Sequence, residues 1–93
     1  MDLKGKVAFV TGGSRGIGLA VCKKLAERGA DIFFTYFRSR KNADEAVAQL
    51  KEHGVEAVAH RANMGNMEQT AEALKIIREK YGKLDILVSN AAL

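Results

Sequence analysis

Proline and tryptophan are absent from this chain, and cysteine occurs once. A lone thiol, Cys22, can close no internal disulfide and cannot build a cysteine-rich metal site, so it reads as a small packed side chain. His53 and His60 share no ligand spacing, and no metal site is expected. Apolar runs are only a few residues long, far short of the roughly 18 needed to cross a bilayer. The opening Met-Asp-Leu-Lys-Gly-Lys has no apolar core of a signal peptide behind its charges. Aromatic residues make up 6% of the chain and are not interleaved with basic ones, and no long block of like charge occurs. The expectation is a soluble, cytoplasmic protein with neither a membrane nor a nucleic acid as partner.

The chain has 93 residues, 47% of them apolar, which suits one small folded domain or part of a larger one and is too short for two. Its net charge of +4 fits nucleic acid, a phosphorylated cofactor or an acidic protein equally well, and decides nothing alone. Periodicity is more informative. Residues 6–11 (KVAFVT) form a branched and aromatic run that predicts a buried strand. Residues 17–28 place Ile17, Val21 and Leu25 at helical spacing, with Gly29 just beyond. Residues 32–37 (IFFTYF) predict a second strand, and residues 42–53 a second helix with Ala43, Ala46, Val47 and Leu50 on one face and Gly54 closing it.

Residues 55–62 read as a third strand that Glu56, His60 and Arg61 dilute toward an edge position. A third helix is predicted over residues 67–81, with Met67, Ala71, Leu74, Ile77 and Tyr81 as its apolar stripe. Asn66 and Gln69 resemble a capping box at its start, and Gly82 ends it. Residues 84–89 (LDILVS) give a fourth strand, apolar enough to be central. Strands separated by helices imply parallel pairing and an α/β doubly wound sheet of Rossmann type, of which βαβαβαβ is present. A fourth strand with an unpaired apolar edge is an aggregation hazard. The chain is therefore read as the N-terminal part of a larger domain, the alternative being a complete four-stranded module whose edge a dimer covers.

Between the first strand and first helix runs Thr11-Gly12-Gly13-Ser14-Arg15-Gly16-Ile17-Gly18. Strand, glycine-rich turn and helix start together make an anion site, because glycine lets backbone approach a diphosphate and free N–H groups favour negative charge. A tight turn that merely needs glycine is the alternative. No Gly-Lys-Ser/Thr follows, which excludes a Walker phosphate loop.

The spacing Thr-Gly-x-x-x-Gly-x-Gly (Thr11, Gly12, Gly16, Gly18) resembles that of the short-chain dehydrogenase/reductase family. Leu3-Lys4-Gly5-Lys6-Val7 is similar to the family's lead-in, Asn63 falls at its adenine-contacting turn, and Ser89-Asn90-Ala91-Ala92 stands where Asn-Asn-Ala-Gly is usual. Ser89 and Ala92 are departures, and Ser89 puts the usual sheet-stabilising role of the first Asn in doubt. The Asn-Ala-Ala ending, together with Tyr36-Phe37-Arg38-Ser39-Arg40-Lys41 and Arg61-Ala62-Asn63-Met64-Gly65, is similar to the enoyl-acyl-carrier-protein reductase III branch. The 3-oxoacyl-acyl-carrier-protein reductases share most of these features. The resemblance implies an oxidoreductase that reduces an enoyl- or 3-oxoacyl-thioester in fatty-acid synthesis and forms a homo-oligomer at full length.

Cofactor choice follows from charge. An NAD site carries an acid at the end of the second strand for the ribose 2′-OH. Here residues 32–41 contain no acid, and Arg38, Ser39, Arg40 and Lys41 stand in its place. A guanidinium suits a 2′-phosphate that a carboxylate would repel, so NADP(H) is expected, with Arg15 as a second candidate for the same phosphate. A solvated basic helix start is the alternative for these residues. The expected cofactor contacts are Gly12, Ser14, Arg15, Gly16, Ile17, Gly18, Arg38 and Ser39, with Asn63 and Met64 at the adenine and Asn90 and Ala91 at the ribose or its neighbouring backbone. The family's proton donor lies in a Tyr-x-x-x-Lys pair, whereas Tyr36 is followed at that spacing by Arg40 and Tyr81 by Asp85. No catalytic residue is assigned. A non-catalytic dinucleotide- or phosphate-binding module remains the competing reading, and a basic nucleic-acid binder a more distant one.

Overall fold

Side chains on a strand alternate between faces, so a strand buried on both must be apolar throughout. β1 (Val7–Thr11) meets that condition from Val7 to Val10 and β2 (Asp31–Tyr36) from Ile32 to Phe34. In the computed structural model, which describes residues 2–63 and 65–90, they form the middle of a four-stranded parallel sheet of order β3-β2-β1-β4. The outer strands are β3 (Ala57–Arg61) and β4 (Ile86–Ser89). Three helices connect them: α1 (Gly16–Glu27), α2 (Arg40–Lys51) and α3 (Met67–Tyr81). The predicted α/β architecture, its element order and the edge position of β3 are all present, and Gly29, Gly54 and Gly82 follow their helices with positive φ.

Two apolar layers sandwich the sheet. Ala8, Val10, Ile32 and Phe34 pack against Cys22 and Ala26 of α1 and Ala43, Ala46 and Leu50 of α2. The intervening residues Val7, Phe9 and Phe33 face Ala73 and Ile77 of α3. The Phe9 and Phe33 rings meet edge to face, with centroids 5.6 Å apart and planes at 81°, an arrangement favoured by the aromatic quadrupole.

Two helical stripes differ from their expected positions. In α1 the buried residues are Gly18, Cys22 and Ala26, one position on from the predicted Ile17, Val21 and Leu25, and Ile17 is 74% exposed. Small side chains let the helix axis approach the sheet, and that closeness outweighs the larger apolar area of the neighbouring stripe. In α3, Ala73 and Ile77 are buried while Met67, Ala71 and Leu74 are exposed. β4 is not central among the described residues: it pairs with β1 alone, and Leu87, opposite Phe9, is 60% exposed.

Asp85 secures the start of β4. Its Oδ2 accepts from the Val7 N–H at 2.8 Å, its own N–H donates to the Val7 carbonyl at 3.0 Å, and Lys83 Nζ lies 3.2 Å from the carboxylate. The hydrogen bond from Val7, then the Lys83 ammonium, hold the Asp85 carboxyl below its ordinary value of 3.8. A pKa lowered by folding contributes stability that is complete above the unfolded value and lost as pH falls through the folded one. Asp85→Asn keeps an acceptor for Val7 but loses the charge. Urea unfolding between pH 7 and 3 is expected to show a shallower acid limb for this variant than for wild type. Parallel limbs would remove Asp85 from the acid response.

Candidate functional site

The C-terminal ends of all four strands open into one cleft of about 950 Å³, lined by the glycine loop, the β2–α2 turn, the segment after β3 and the end of β4. Strand order reverses between β1 and β4, and ligands of open parallel sheets bind at such a switch. A smaller hollow of about 290 Å³ lies between the end of α3 and the start of β4, beside the Gly82 turn at a helix C-terminus, whose dipole does not favour an anion.

Local chemistry fixes the loop. Gly12 and Gly16 have φ of 71° and 59°, a left-handed conformation that glycine adopts cheaply. α1 then begins with Arg15 as its N-cap, without a side-chain cap bond and without an acidic residue in the first turn. The first N–H groups of a helix have no intrahelical acceptor, so this uncapped start presents donors and the positive dipole end. The loop is tied on two sides. From β2, Thr35 Oγ1 accepts from the Gly12 N–H and the Thr35 carbonyl from the Gly13 N–H, each at 3.1 Å. Beyond β4, the Asn90 N–H donates to Thr11 Oγ1 at 2.8 Å, and Asn90 Nδ2 to the Gly12 carbonyl at a long 3.5 Å.

Of the residues expected to bind a cofactor, Gly12, Ser14, Arg15, Gly16, Arg38, Ser39, Asn63 and Asn90 line this cleft. Ile17 and Gly18 do not. Ile17 turns its side chain to solvent, and Gly18 is buried, where an added Cβ would collide with the Gly12 carbonyl. Gly18 is thus a packing residue that lets α1 close on the loop. Met64 and Ala91 lie outside the described residues. Asn90 is already engaged with the neighbouring backbone, the second of its two expected roles.

Arg15 and Arg38 are exposed at the cleft, and among the described residues neither joins an ion pair. Arg40, by contrast, sits inside α2 near Asp44 at 3.8 Å, both well exposed, and does not line the cleft. Ser39 is the N-cap of α2, its Oγ accepting from the Asn42 N–H at 3.1 Å, which leaves its hydroxyl proton free to donate. After β3, Asn66 Oδ1 caps α3 by accepting from the N–H groups of Glu68 and Gln69. The reciprocal half of the expected capping box is displaced: Gln69 Oε1 reaches past Asn66 to accept from the Asn63 N–H at 2.6 Å. Asn63 Oδ1 accepts from Gly65, so the turn is held from both sides.

Thr35 is the functional residue that sequence reasoning missed. A hydroxyl at the end of a buried apolar run was the available signal, because such a group needs a partner. Cys22 is fully buried, and burial pushes its thiol up to about 12, which makes it inert at neutral pH. Among the described residues no cluster of side chains suits a metal ion, and no helix is long and apolar enough to cross a membrane.

A doubly wound parallel sheet with an uncapped, glycine-led helix start at its switch point defines a Rossmann-type chain. The model of the short chain dehydrogenase family matches residues 6–93, and the chain belongs to that family. It is 44% identical over 91 residues to versicolorin reductase 1 of Aspergillus parasiticus, covering 98% of this chain and 35% of that one. It is 39% identical over 90 residues to tetrahydroxynaphthalene reductase of Pyricularia oryzae, covering 97% and 32%. Among solved structures, a short-chain dehydrogenase from Burkholderia cenocepacia in complex with NADP superimposes with a TM-score of 0.95 at 43% identity, covering all of this chain and 38% of its own. A blue fluorescent protein from a metagenomic library, in complex with NADPH, gives 0.94 at 42% identity, with coverage of 100% and 38%. The chain spans about a third of the length of the curated relatives it matches.

Proposed function

We propose that this chain is the NADPH-binding portion of a reductase. One observation carries the choice of cofactor: at the end of β2, where an NAD site needs an acid, Arg38 lines the cleft. Charge-assisted bonds from such a guanidinium contribute about 1.5–3 kcal/mol each, enough to favour NADPH at least tenfold. The NADP and NADPH bound in the two similar structures support the same reading.

The chain's residues divide the cofactor among themselves. The N-terminal turn of α1 and Ser14 receive the diphosphate, and Arg15, Arg38 and the Ser39 hydroxyl the 2′-phosphate. Asn63 borders the adenine, while Asn90 holds the glycine loop through Thr11 and Gly12. NADPH, when bound, supplies the hydride. No Tyr-x-x-x-Lys pair occurs among these 93 residues, so no proton donor is assigned to them, and these residues alone are expected to bind without turnover. Relatives named for versicolorin and hydroxynaphthalene reduction favour an aromatic or carbonyl substrate. The acyl-thioesters of fatty-acid synthesis, suggested by the finer resemblance, are the second class to assay.

The test is a fluorescence titration of NADPH and NADH on the protein as its source makes it, followed by turnover assays with both substrate classes. NADPH binding at least tenfold tighter than NADH is expected. Equal affinities would overturn the 2′-phosphate site, and binding of neither would overturn the dinucleotide reading altogether. Tight binding without turnover of any substrate would favour a non-catalytic module.

A further inference from the structure

Thr35 follows three fully buried residues, Ile32, Phe33 and Phe34, and is itself 1% exposed. A polar group so placed is costly unless bonded. Both of its acceptors point the same way, into the glycine loop, where the hydroxyl takes the Gly12 N–H and the carbonyl the Gly13 N–H. The β1–β2 ladder runs only from Val7 opposite Asp31 to Val10 opposite Phe34. These two bonds therefore carry the contact beyond the ladder's end, to the place where Gly12 turns with φ of 71°. Three residues further along, the same segment presents Arg38 to the cleft.

We infer that Thr35 is a positioning residue, a clamp that fixes the glycine loop against the end of β2. It thereby sets the separation at which the start of α1 and Arg38 can engage one ligand. The inference rests on the dinucleotide reading above and extends it to a residue that lies behind the site. Without the hydroxyl, the Gly12 N–H loses its acceptor and the loop samples arrangements in which the helix start no longer faces the cleft. Apparent affinity then falls in proportion to the competent fraction, so a loop correctly placed one-tenth of the time weakens binding about tenfold. The diphosphate is common to both nicotinamide dinucleotides, hence both should weaken alike.

Thr35→Val keeps the shape and removes the acceptor, whereas Thr35→Ser keeps the acceptor. Titration with NADPH and NADH is expected to show about tenfold weaker binding of each to Thr35→Val, an unchanged ratio between them, and recovery to within about twofold in Thr35→Ser. Undiminished binding to a folded Thr35→Val would overturn the clamp. So would Thr35→Ser binding as weakly as Thr35→Val, which would assign the effect to the lost methyl group. Should Thr35→Val not fold, near-wild-type affinity in Thr35→Ser supports the clamp and a tenfold loss there overturns it. Amide exchange at Gly12 separates this inference from the reading beneath it. If wild type binds neither dinucleotide, a Gly12 amide protected in wild type and Thr35→Ser but not in Thr35→Val sustains the clamp, and an amide unprotected in wild type overturns it.

Discussion

Replacing Arg38 by aspartate is expected to weaken NADPH binding by about 30- to 100-fold while changing NADH affinity less than about threefold. Two effects act in the same direction. The guanidinium that pairs with the 2′-phosphate is lost, and a carboxylate is placed where it repels that phosphate and suits a free 2′-OH. Arg38 is exposed and lies before the Ser39 cap rather than inside α2, so the fold should hardly register the change. Arg40→Asp is the matched control. It alters charge by the same amount two residues away, on the outer face of α2 beside Asp44, and the affinity of either cofactor should stay within about twofold. Titration of both variants with both cofactors separates a local contact from a general field. Equal losses at the two positions would mean that net positive charge, rather than Arg38, draws the cofactor in.

The strand-and-helix order was legible because three of the strands are compact runs of branched or aromatic residues, the weaker β3 lies between two helical stripes, and each helix ends near a glycine. The buried face of α2 was read correctly at Ala43, Ala46 and Leu50, since its other face is polar and only one apolar stripe exists. Val47, however, is partly buried, and the helix runs Arg40–Lys51, starting two residues before the expected 42–53. α1 offered two overlapping stripes one residue apart. Ile17, Val21 and Leu25 carry more apolar area, but Gly18, Cys22 and Ala26 permit close approach, a property that hydrophobicity does not record. In α3 Leu74 is left 41% exposed, lining both the cleft, with Thr70, and the smaller hollow. The glycine turn between β1 and α1 was readable from its spacing, and the lack of an acid at the end of β2 from residues 32–41. The clamp by Thr35 and the reach of Gln69 to Asn63 were not, because each joins segments brought together only by the parallel sheet and its crossovers.

Gly18→Ala tests that close approach with two effects of opposite sign. Inside a helix, alanine is favoured over glycine by about 1 kcal/mol, so local propensity alone predicts a more stable protein. Packing predicts the reverse. A Cβ at Gly18 would run into the Gly12 carbonyl and come within 2.7 Å of Asn90 Nδ2. The carbonyl belongs to a backbone held by Thr35 and Asn90, so it cannot yield without breaking those bonds. Overpacking a rigid contact costs about 1–3 kcal/mol, and displacement of the tied loop adds to it, leaving a net loss of about 2 kcal/mol. For a chain this short, that corresponds to a melting temperature about 10 °C lower. Gly16→Ala provides the contrast, since nothing lies within 4 Å of its Cβ and only the positive φ of 59° is strained, at about 1–2 kcal/mol. Thermal unfolding of the two variants should therefore show both destabilised, but only Gly18→Ala should free the Gly12 amide to exchange. A Gly18→Ala protein as stable as wild type would mean that α1 can slide away from the loop at no cost, and the tight junction of helix and glycine turn would lose its role in shaping the anion site.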